Sequence, residues 1–210
     1  MKQNFFLFIL VLLLAVAGFF VYLQKNYLSL SNKDFIPNYS SSSVTSLPST
    51  LPVKIYFSNE KLNPNLKDCS LVYPVNRTIS LNGDPFLQTL NLLFLGPTEQ
   101  EKAEGYTSVF SPENKDILKN LDISPDGIVY IDLYDIRSIM PEVSSSCGSS
   151  QFMKSIEETL KQFQLVKKVI FAINGDPQMF YEWVQLGCSE ENNNCDKTPF
   201  LKFYSNQESQ

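Results

Sequence analysis

The side chains that could support acid–base catalysis are few and poorly placed. Asp132 and Asp135 lie on either side of Leu133-Tyr134 near the end of a predicted strand, and Glu157 and Glu158 are neighbours on a predicted helix. Two carboxylates can act as acid and base, for example in glycoside hydrolysis, but only across a cleft and at a defined separation. Neighbouring helical residues diverge by about 100°. The two glutamates are therefore unsuitable partners, and solvated surface carboxylates are the simpler interpretation of these residues.

A nucleophilic site is equally weakly supported. Ser149 and Ser150 precede Lys154, but the Ser-x-x-Lys spacing of a serine–lysine dyad is absent at this helix start. Serines at such a position more simply cap the helix. The chain contains no histidine, which excludes Ser–His and Cys–His catalysis and histidine-ligated zinc. We therefore predict that the protein is not an enzyme and has no catalytic residues.

Composition limits the remaining function classes. The chain has 210 residues and a net charge of −5. Because binding to a phosphate backbone needs a concentrated face of lysine and arginine, nucleic acid is not an expected partner. A zinc site built from the cysteines would use CxxC knuckles, which the sequence lacks, and the acidic loop 189–194 lacks calcium-loop spacing. We predict no metal and no cofactor.

The cysteines instead favour disulfides. An even number of cysteines in a chain without histidine is typical of proteins oxidised outside the cytoplasm. The 4 cysteines allow three pairings. Cys188 and Cys195 enclose a short polar loop that closes easily, which would leave Cys69 and Cys147 to close a long one. These residues are the disulfide candidates, and the long crosslink is expected to contribute about 4–5 kcal/mol in the chain-entropy account.

The first 25 residues predict a membrane anchor or a signal segment. The run from Phe5 to Leu23 is apolar and uncharged, with Lys2 and Lys25 on either side. About 20 apolar helical residues span a bilayer core of roughly 30 Å. A small-x-small cleavage site occurs at 15–17, but the apolar run continues where a polar region should follow. We expect a single-pass anchor with the folded domain outside the cytoplasm, or a secreted domain if the leader is cleaved.

Three segments follow the apolar run. Residues 26–52 are rich in Ser, Pro and Asn without periodicity, which predicts a flexible linker. Residues 53–176 carry the regular apolar patterns and predict the folded domain. Residues 177–210 form a C-terminal extension with the Cys188/Cys195 loop, and its position relative to the domain does not follow from the sequence.

Within 53–176, apolar periodicity predicts an α+β fold. Alternation predicts strands at 53–57 and 71–79 and a hairpin at 117–134. Pro74 suggests an edge or a bulge in the second strand. The segment 169–173 is apolar on both faces and predicts a central strand.

Two amphipathic helices complete the pattern. One begins at Asp84-Pro85, a helix N-cap followed by proline, and the other covers 149–163. The order is then ββαββαβ, with a further short helix after the first. A mixed β-sheet with two main α-helices packed on one face is the expected architecture.

Gly96, Pro97 and Thr98 end the first helix and start the next. Glycine adopts the left-handed C-cap, proline prevents continuation, and threonine opens a capping box with Glu101. We interpret this loop as structural first, with a binding role as the alternative.

Several strings of residues together resemble one known family. They are VKIYF, VYPVNRTI, LGPT at 95–98, GYTS at 105–108, GIVYIDL and LKQFQLVKKVIFAINGD. Over about 53–176 the chain resembles the GerMN domain, the sporulation and spore-germination module. LGPT and the final helix–strand run are the most specific parts. The stretch SSSCGSS before the last helix is a departure, since family members often have more small residues there.

The resemblance implies a non-enzymatic module of membrane-anchored or lipid-anchored bacterial envelope proteins, similar in architecture to ring-building motifs of secretion-type assemblies. It carries no catalytic residue over to this chain. We therefore expect a membrane-anchored extracytoplasmic protein that binds or assembles in the cell envelope. The partner would be an envelope protein, a cell-wall component or a second copy of the chain. The alternative is a cell-wall hydrolase or a regulator of one.

Overall fold

The computed structural model describes residues 49–188 and 193–205. The predicted membrane segment and the linker up to residue 48 lie outside this description, as do 189–192 and 206–210. Within the described ranges, no helix is long and apolar enough to cross a bilayer. The strands are β1 Thr50–Asn59, β2 Tyr73–Ser80, β3 Tyr106–Thr107, β4 Leu118–Ile123, β5 Ile128–Leu133 and β6 Lys168–Ile173. The α-helices are α1 Pro85–Phe94, α2 Glu99–Ala103, α3 Ser146–Lys161, α4 Pro177–Trp183 and α5 Thr198–Leu201.

The first sheet is antiparallel and has the order β2-β1-β3. On β1, apolar residues alternate with polar ones, and Val53, Ile55 and Phe57 are buried on one face. Pro74 lies on β2, an edge strand of this sheet, as expected for a residue without a backbone N–H. The main helices α1 and α3 contact each other and β1.

The strands form two three-stranded sheets instead of the single mixed sheet expected from the sequence. The edge of β1 opposite β2 is occupied by α3 and the residue after it. Tyr56 N–H donates to Thr159 Oγ1 at 3.0 Å, and Lys54 N–H donates to Gln162 Oε1 at 2.8 Å. Gln162 Nε2 returns a bond to Lys54 O at 2.8 Å. Because these backbone groups are already bonded, a strand of the second sheet cannot pair there. The α+β class is confirmed, and the number of sheets is corrected.

The second sheet has the order β4-β5-β6. β4 and β5 form the predicted antiparallel hairpin, whereas β5 and β6 are parallel and are connected through α3. The prediction that β6 is a central strand is wrong, because β6 lies at an edge. Its residues are nevertheless buried, since α4 covers it and Tyr181 Oη accepts a hydrogen bond from Phe171 N–H at 3.4 Å. The apolar sequence of β6 therefore predicted that the strand is buried, but it did not predict the position of the strand in the sheet.

Helix starts follow capping chemistry, with one correction. Asp84 caps α1 and Pro85 occupies the first turn, as predicted. α3 begins earlier than expected, because its N-cap is Ser145, whose Oγ accepts from Gly148 N–H at 3.1 Å. Ser149 is buried within the helix and does not cap it.

A series of phenylalanine rings connects the helices with the second sheet. Ring centroids lie 5.2 Å apart for Phe94 and Phe110, and 5.1 Å apart for Phe110 and Phe152. Phe180 lies 6.1 Å from Phe152 and 5.0 Å from Phe171. All five rings are buried. Because Phe180 belongs to α4, the C-terminal extension contributes to the core of the domain.

The later part of the extension packs on the second sheet. Phe200 of α5 is fully buried, and its ring meets Tyr130 of β5 edge-on at 5.5 Å. Lys202 forms an ion pair with Asp122 of β4. Both an apolar and a charged contact therefore attach this segment to the hairpin.

Both disulfide pairs considered from the sequence are present. Cys69–Cys147 joins the loop after β1 to the first turn of α3, and Cys188–Cys195 closes the loop after α4. All four cysteines are therefore bonded.

Candidate binding site around the Gly96-Pro97-Thr98 loop

The loop between α1 and α2 requires glycine at its first position. Gly96 has φ of 72°, in the left-handed region that glycine adopts without strain. Its N–H donates to Leu93 O at 2.9 Å and ends α1. A Cβ on Gly96 would also overlap the backbone carbonyl oxygen of Phe110. The positive φ and the lack of space for a Cβ therefore both require glycine at position 96.

Thr98 opens α2 through the predicted capping box. Thr98 Oγ1 accepts from Glu101 N–H at 3.3 Å, and Glu101 Oε2 accepts from Thr98 N–H at 2.8 Å. Arg77 of β2 donates to both oxygens of the same carboxylate, with Nη2 at 2.5 Å from Oε2. Such bidentate, charge-assisted pairs are strong and directional. A single carboxylate therefore caps α2 and attaches it to the first sheet.

This ion pair is not poised for proton transfer. Partial burial raises the pKa of Glu101, but hydrogen bonds from Arg77 and the Thr98 N–H outweigh it, and the pKa lies below its ordinary value. The pKa of Arg77 is raised, chiefly by its hydrogen bond to Glu101. Since a general acid or base needs a pKa near the working pH, this pair is structural.

Tyr106 separates two clefts beside the loop. One cleft of about 280 Å³ is mostly apolar and is lined by Leu95, Pro97, Lys102, Tyr106, Thr107, Ser108, Phe110, Ser111 and Pro112. The other, of about 400 Å³, is mostly polar and is lined by Pro74, Val75, Asn76, Arg77, Thr98, Gln100, Glu101, Glu104 and Tyr106. Tyr106 Oη donates to Pro74 O at 3.2 Å. Burial, followed by the charges of Glu104 and Glu101, raises the pKa of Tyr106, so its hydroxyl stays a neutral donor.

The two clefts differ in chemical character and lie side by side. Their volumes lie at the lower end of small-molecule pockets. Among the apolar residues that line the first cleft, Leu95 is exposed, and the exposed Lys102 beside it pairs with Glu99 at 2.7 Å. The polar cleft offers donors and acceptors, among them the exposed Gln100. An apolar side chain and a polar one on the same partner would fit this arrangement.

The two aspartates considered for acid–base chemistry are bonded to separate partners. Asp132 is fully buried, so surface solvation is wrong for this residue. Its donors are Tyr204 Oη at 2.6 Å, Asn120 Nδ2 at 2.9 Å and the Gly175 N–H at 2.6 Å. Asp135 is exposed and pairs with Arg137 at 2.7 Å, and this hydrogen bond lowers the pKa of Asp135. The structure does not join the two carboxylates in a cleft.

The glutamates and serines of α3 are likewise engaged. Glu157 accepts a hydrogen bond from Lys154 at 2.7 Å and forms an ion pair with Lys161 at 3.6 Å, which is the i,i+4 pair expected on this helix. Glu158 pairs with Lys161 at 3.0 Å. Ser149 Oγ donates to a carbonyl oxygen of the preceding turn. Lys154 is therefore paired with a carboxylate and does not activate a serine.

No metal-binding group was found in the part of the chain that the structure describes: no three or more acidic or cysteine side chains converge there. The cysteine sulfurs are in disulfides. The donors present in those ranges therefore define no position for a metal ion.

Pro97 and Thr98, identified from the sequence, line the clefts, but sequence reasoning assigned no site role to Arg77 or Tyr106. Arg77 occupies a core-facing position of β2 in the alternation of Tyr73, Val75 and Ile79. A charged residue at an apolar position of a strand was the signal that could have identified it. Tyr106 lies in a two-residue strand, too short for a periodic pattern to appear.

The family of the chain follows from a comparison with family models. The model described as Germane, sporulation and spore germination, matches residues 54–179. This match covers more than half of the sequence. The chain therefore belongs to the Germane (GerMN) family, as its motifs indicated. Among curated proteins, none matches.

Two solved structures are similar to the chain. One contains the tandem GerMN domains of the sporulation protein GerM from Bacillus subtilis, with 22% identity and a TM-score of 0.42, over 65% of this chain and 43% of that one. The other contains the first GerMN domain of that protein, with 22% identity and a TM-score of 0.40, over 60% of this chain and 84% of that one. The matched part thus spans less than half of the tandem-domain structure.

Proposed function

We propose that this protein is a membrane-anchored, extracytoplasmic GerMN protein that binds or assembles with a partner in the bacterial cell envelope and catalyses no reaction. The observation that carries the binding role is the pair of clefts that share Tyr106 beside the family loop. The state of the candidate catalytic groups supports the absence of catalysis. The carboxylates considered for acid–base chemistry are each bonded to neighbouring residues.

The proposed compartment rests on the leader and on the cysteines. Residues 1–25 would anchor the chain, and the part of the predicted linker that precedes β1, from residue 26 to 49, would tether the domain with an end-to-end distance of about 30 Å. Two disulfides, Cys69–Cys147 and Cys188–Cys195, support an oxidising compartment, because cytoplasmic thiols are kept reduced.

The clefts are favoured over strand addition at β2. In an antiparallel pair, the backbone groups of successive residues point alternately toward and away from the neighbouring strand. On β1, Lys54 and Tyr56 direct their N–H groups away from β2, to Gln162 and Thr159. Pro74, opposite Tyr56, and every second residue after it therefore direct their backbone groups to the outer edge of β2. Pro74 has no N–H, and its carbonyl accepts from Tyr106. At the other end, Gln88 bonds the N–H and the carbonyl of Ser80 at 3.0 and 3.1 Å. Proline and side-chain caps of this kind protect an edge strand from pairing.

Photo-crosslinking in native membranes tests the binding role. A photoreactive residue would replace Lys102 at the apolar cleft or Gln100 at the polar cleft, and Gln178 on α4 is the exposed control outside both clefts. We expect a discrete product from the two cleft positions only, which Tyr106→Ala abolishes while protease resistance stays unchanged. A product containing two copies of this chain would identify self-association. Equal products at Gln178, or none at either cleft, would contradict the proposal.

Three further assays address catalysis and location. Purified protein incubated with peptidoglycan is expected to release no soluble fragments. Release that a single carboxylate substitution removes would establish the hydrolase alternative.

Alkaline carbonate extraction should leave the chain in the membrane pellet. Before reduction, a thiol reagent should label no cysteine, and labelled thiols would contradict the oxidising compartment.

A further inference from the structure

The tetrapeptide Asn-Gly-Asp-Pro occurs twice in the chain, at 82–85 and at 174–177. In both places it precedes a helix, and the aspartate is the N-cap. Asn-Gly is the dipeptide most prone to spontaneous deamidation, because glycine offers its backbone nitrogen without a side chain to obstruct the attack. Two copies of one tetrapeptide have nearly the same intrinsic chemistry. Any difference in their reactivity in the folded protein must then come from the surrounding structure.

The second copy is held on several sides. Gly175 N–H donates to Asp132 Oδ1 at 2.6 Å, and Lys119 Nζ donates to Asn174 Oδ1 at 2.9 Å. The ring of Tyr204 lies over Gly175, such that a Cβ there would be 2.5 Å from Tyr204 Cε2. The attacking nitrogen and the amide that it must reach are therefore both fixed. Burial is not what protects this site, since Asn174 is exposed.

The first copy lacks these restraints. Asn82 and Gly83 are exposed and lie in a bend between β2 and α1. The backbone of Asn82 is bonded, through its N–H to Ser80 Oγ at 3.1 Å and through its carbonyl to Gln88 Nε2 at 3.2 Å. Within the described residues, neither the side-chain amide of Asn82 nor the N–H of Gly83 has a hydrogen-bond partner. Gln88 Nε2 would lie 3.3 Å from a Cβ on Gly83, so the bend is packed on one side, but in the described part of the chain neither reacting group is held by a hydrogen bond of its own.

We propose that Asn82 is a site of spontaneous deamidation in the folded protein and that the identical tetrapeptide at Asn174 is protected. The backbone nitrogen of Gly83 attacks Cγ of Asn82 and loses its proton. A C–N bond forms, the bond from Cγ to Nδ2 breaks, and ammonia leaves a cyclic succinimide. Water then opens either carbonyl and yields aspartate or isoaspartate. No oxidant, enzyme or cofactor takes part.

The product changes the start of α1 and the end of β2. Each event adds one negative charge two residues before the N-cap Asp84. In the isoaspartyl product the main chain runs through Cβ and Cγ of residue 82 and is one carbon longer, and the former backbone carbonyl, which accepts from Gln88, becomes a carboxylate outside the main chain. Because Gln88 also bonds the N–H and carbonyl of Ser80, this modification should weaken the cap on the β2 edge. Faster hydrogen exchange at the Ser80 amide is the expected sign.

Peptide mapping over time tests the proposal in the full-length protein. The folded protein with intact disulfides, and a reduced, urea-denatured sample, are incubated at the same mildly alkaline pH. Mass spectrometry then follows the conversion of each amide to an acid. In the folded sample we expect Asn82 to convert more than about tenfold faster than Asn174, since misplacement of reacting groups costs rates of this order. In the denatured sample the two rates should be similar.

Three outcomes would overturn the proposal. They are equal rates in the folded protein, no conversion at Asn82, and a rate ratio that denaturation leaves unchanged, which would assign the selectivity to local sequence. Isoelectric focusing provides an independent readout. The acidic species that accumulates in the folded wild type should be absent from Asn82→Gln, and its persistence there would also contradict the assignment.

Discussion

Replacing Gly96 by alanine should destabilise the protein more than the same change at Gly187. Both glycines have positive φ, 72° and 65°, so both substitutions carry a left-handed penalty of about 1–2 kcal/mol, offset by about 0.4–1 kcal/mol through the unfolded chain. At Gly96 the new Cβ also overlaps the Phe110 carbonyl oxygen, whereas at Gly187 it meets no atom of the described residues within 4 Å. Overpacking of this kind costs about 1–3 kcal/mol. We expect a total loss of about 2–4 kcal/mol at Gly96 and about 1 kcal/mol at Gly187.

Urea unfolding of the purified protein, with disulfides intact, measures both losses. Trp183, the only tryptophan, packs against Phe180 at 6.2 Å between ring centroids and reports unfolding by its fluorescence. Equal losses in the two variants would show that the close approach to Phe110 contributes nothing. A stable Gly96→Ala variant would refute the structural interpretation of the family loop altogether.

Three other substitutions test separate contacts in the same unfolding assay. Arg77→Met should cost about 1–3 kcal/mol at neutral pH. The pKa of Glu101 is lowered in the folded state, so the ion pair contributes its full stabilisation above the unfolded-state pKa of about 4.3. The difference in unfolding free energy between this variant and the wild type should therefore shrink as pH falls through the folded-state pKa. A difference that does not change with pH would contradict the pairing. Phe200→Ala should cost about 3–5 kcal/mol, against less than about 0.5 kcal/mol for the exposed neighbour Leu201→Ala, and similar losses would refute the packing of α5. Tyr204→Phe should cost about 1.5–3 kcal/mol because a buried carboxylate loses a donor, and unchanged stability would show that this bond is not formed in solution.

Local sequence was sufficient for most elements of the fold. Asp84-Pro85 and Thr98 marked the starts of α1 and α2, because a cap and its acceptors lie within a few residues of each other. The hairpin of β4 and β5 was visible because its two alternating strands are separated only by a turn. Pro74 indicated an edge strand, since a residue without an N–H cannot serve a central strand on both sides.

Predictions failed where the deciding contact lies far away in the chain. Ser145 caps α3 instead of Ser149: several serines in a row offer equivalent local caps, and Ser149 is buried within the helix. β6 is apolar like a central strand, but α4 supplies the cover that a neighbouring strand would have given. A pattern of burial does not say which element provides it.

The candidate site was predictable only in part. Gly96, Pro97 and Thr98 were identified from their residue types, because each has a distinct effect on its own backbone. Tyr106 and Arg77 were not, since the clefts exist only after β2, α2 and β3 have come together.

The sequence alone determined most of the elements, the caps of α1 and α2, the absence of imidazole chemistry and the family of the chain. These depend on residue identity and on interactions between residues close in sequence. Tertiary structure decided that the strands divide into two sheets, that the C-terminal extension completes the core and that two clefts border the family loop. Those features rest on contacts such as that of Lys54 with Gln162, 108 positions apart. The apolar periodicity of a segment does not identify its partner, because many surfaces of the same polarity could cover its apolar side chains or bond its backbone groups.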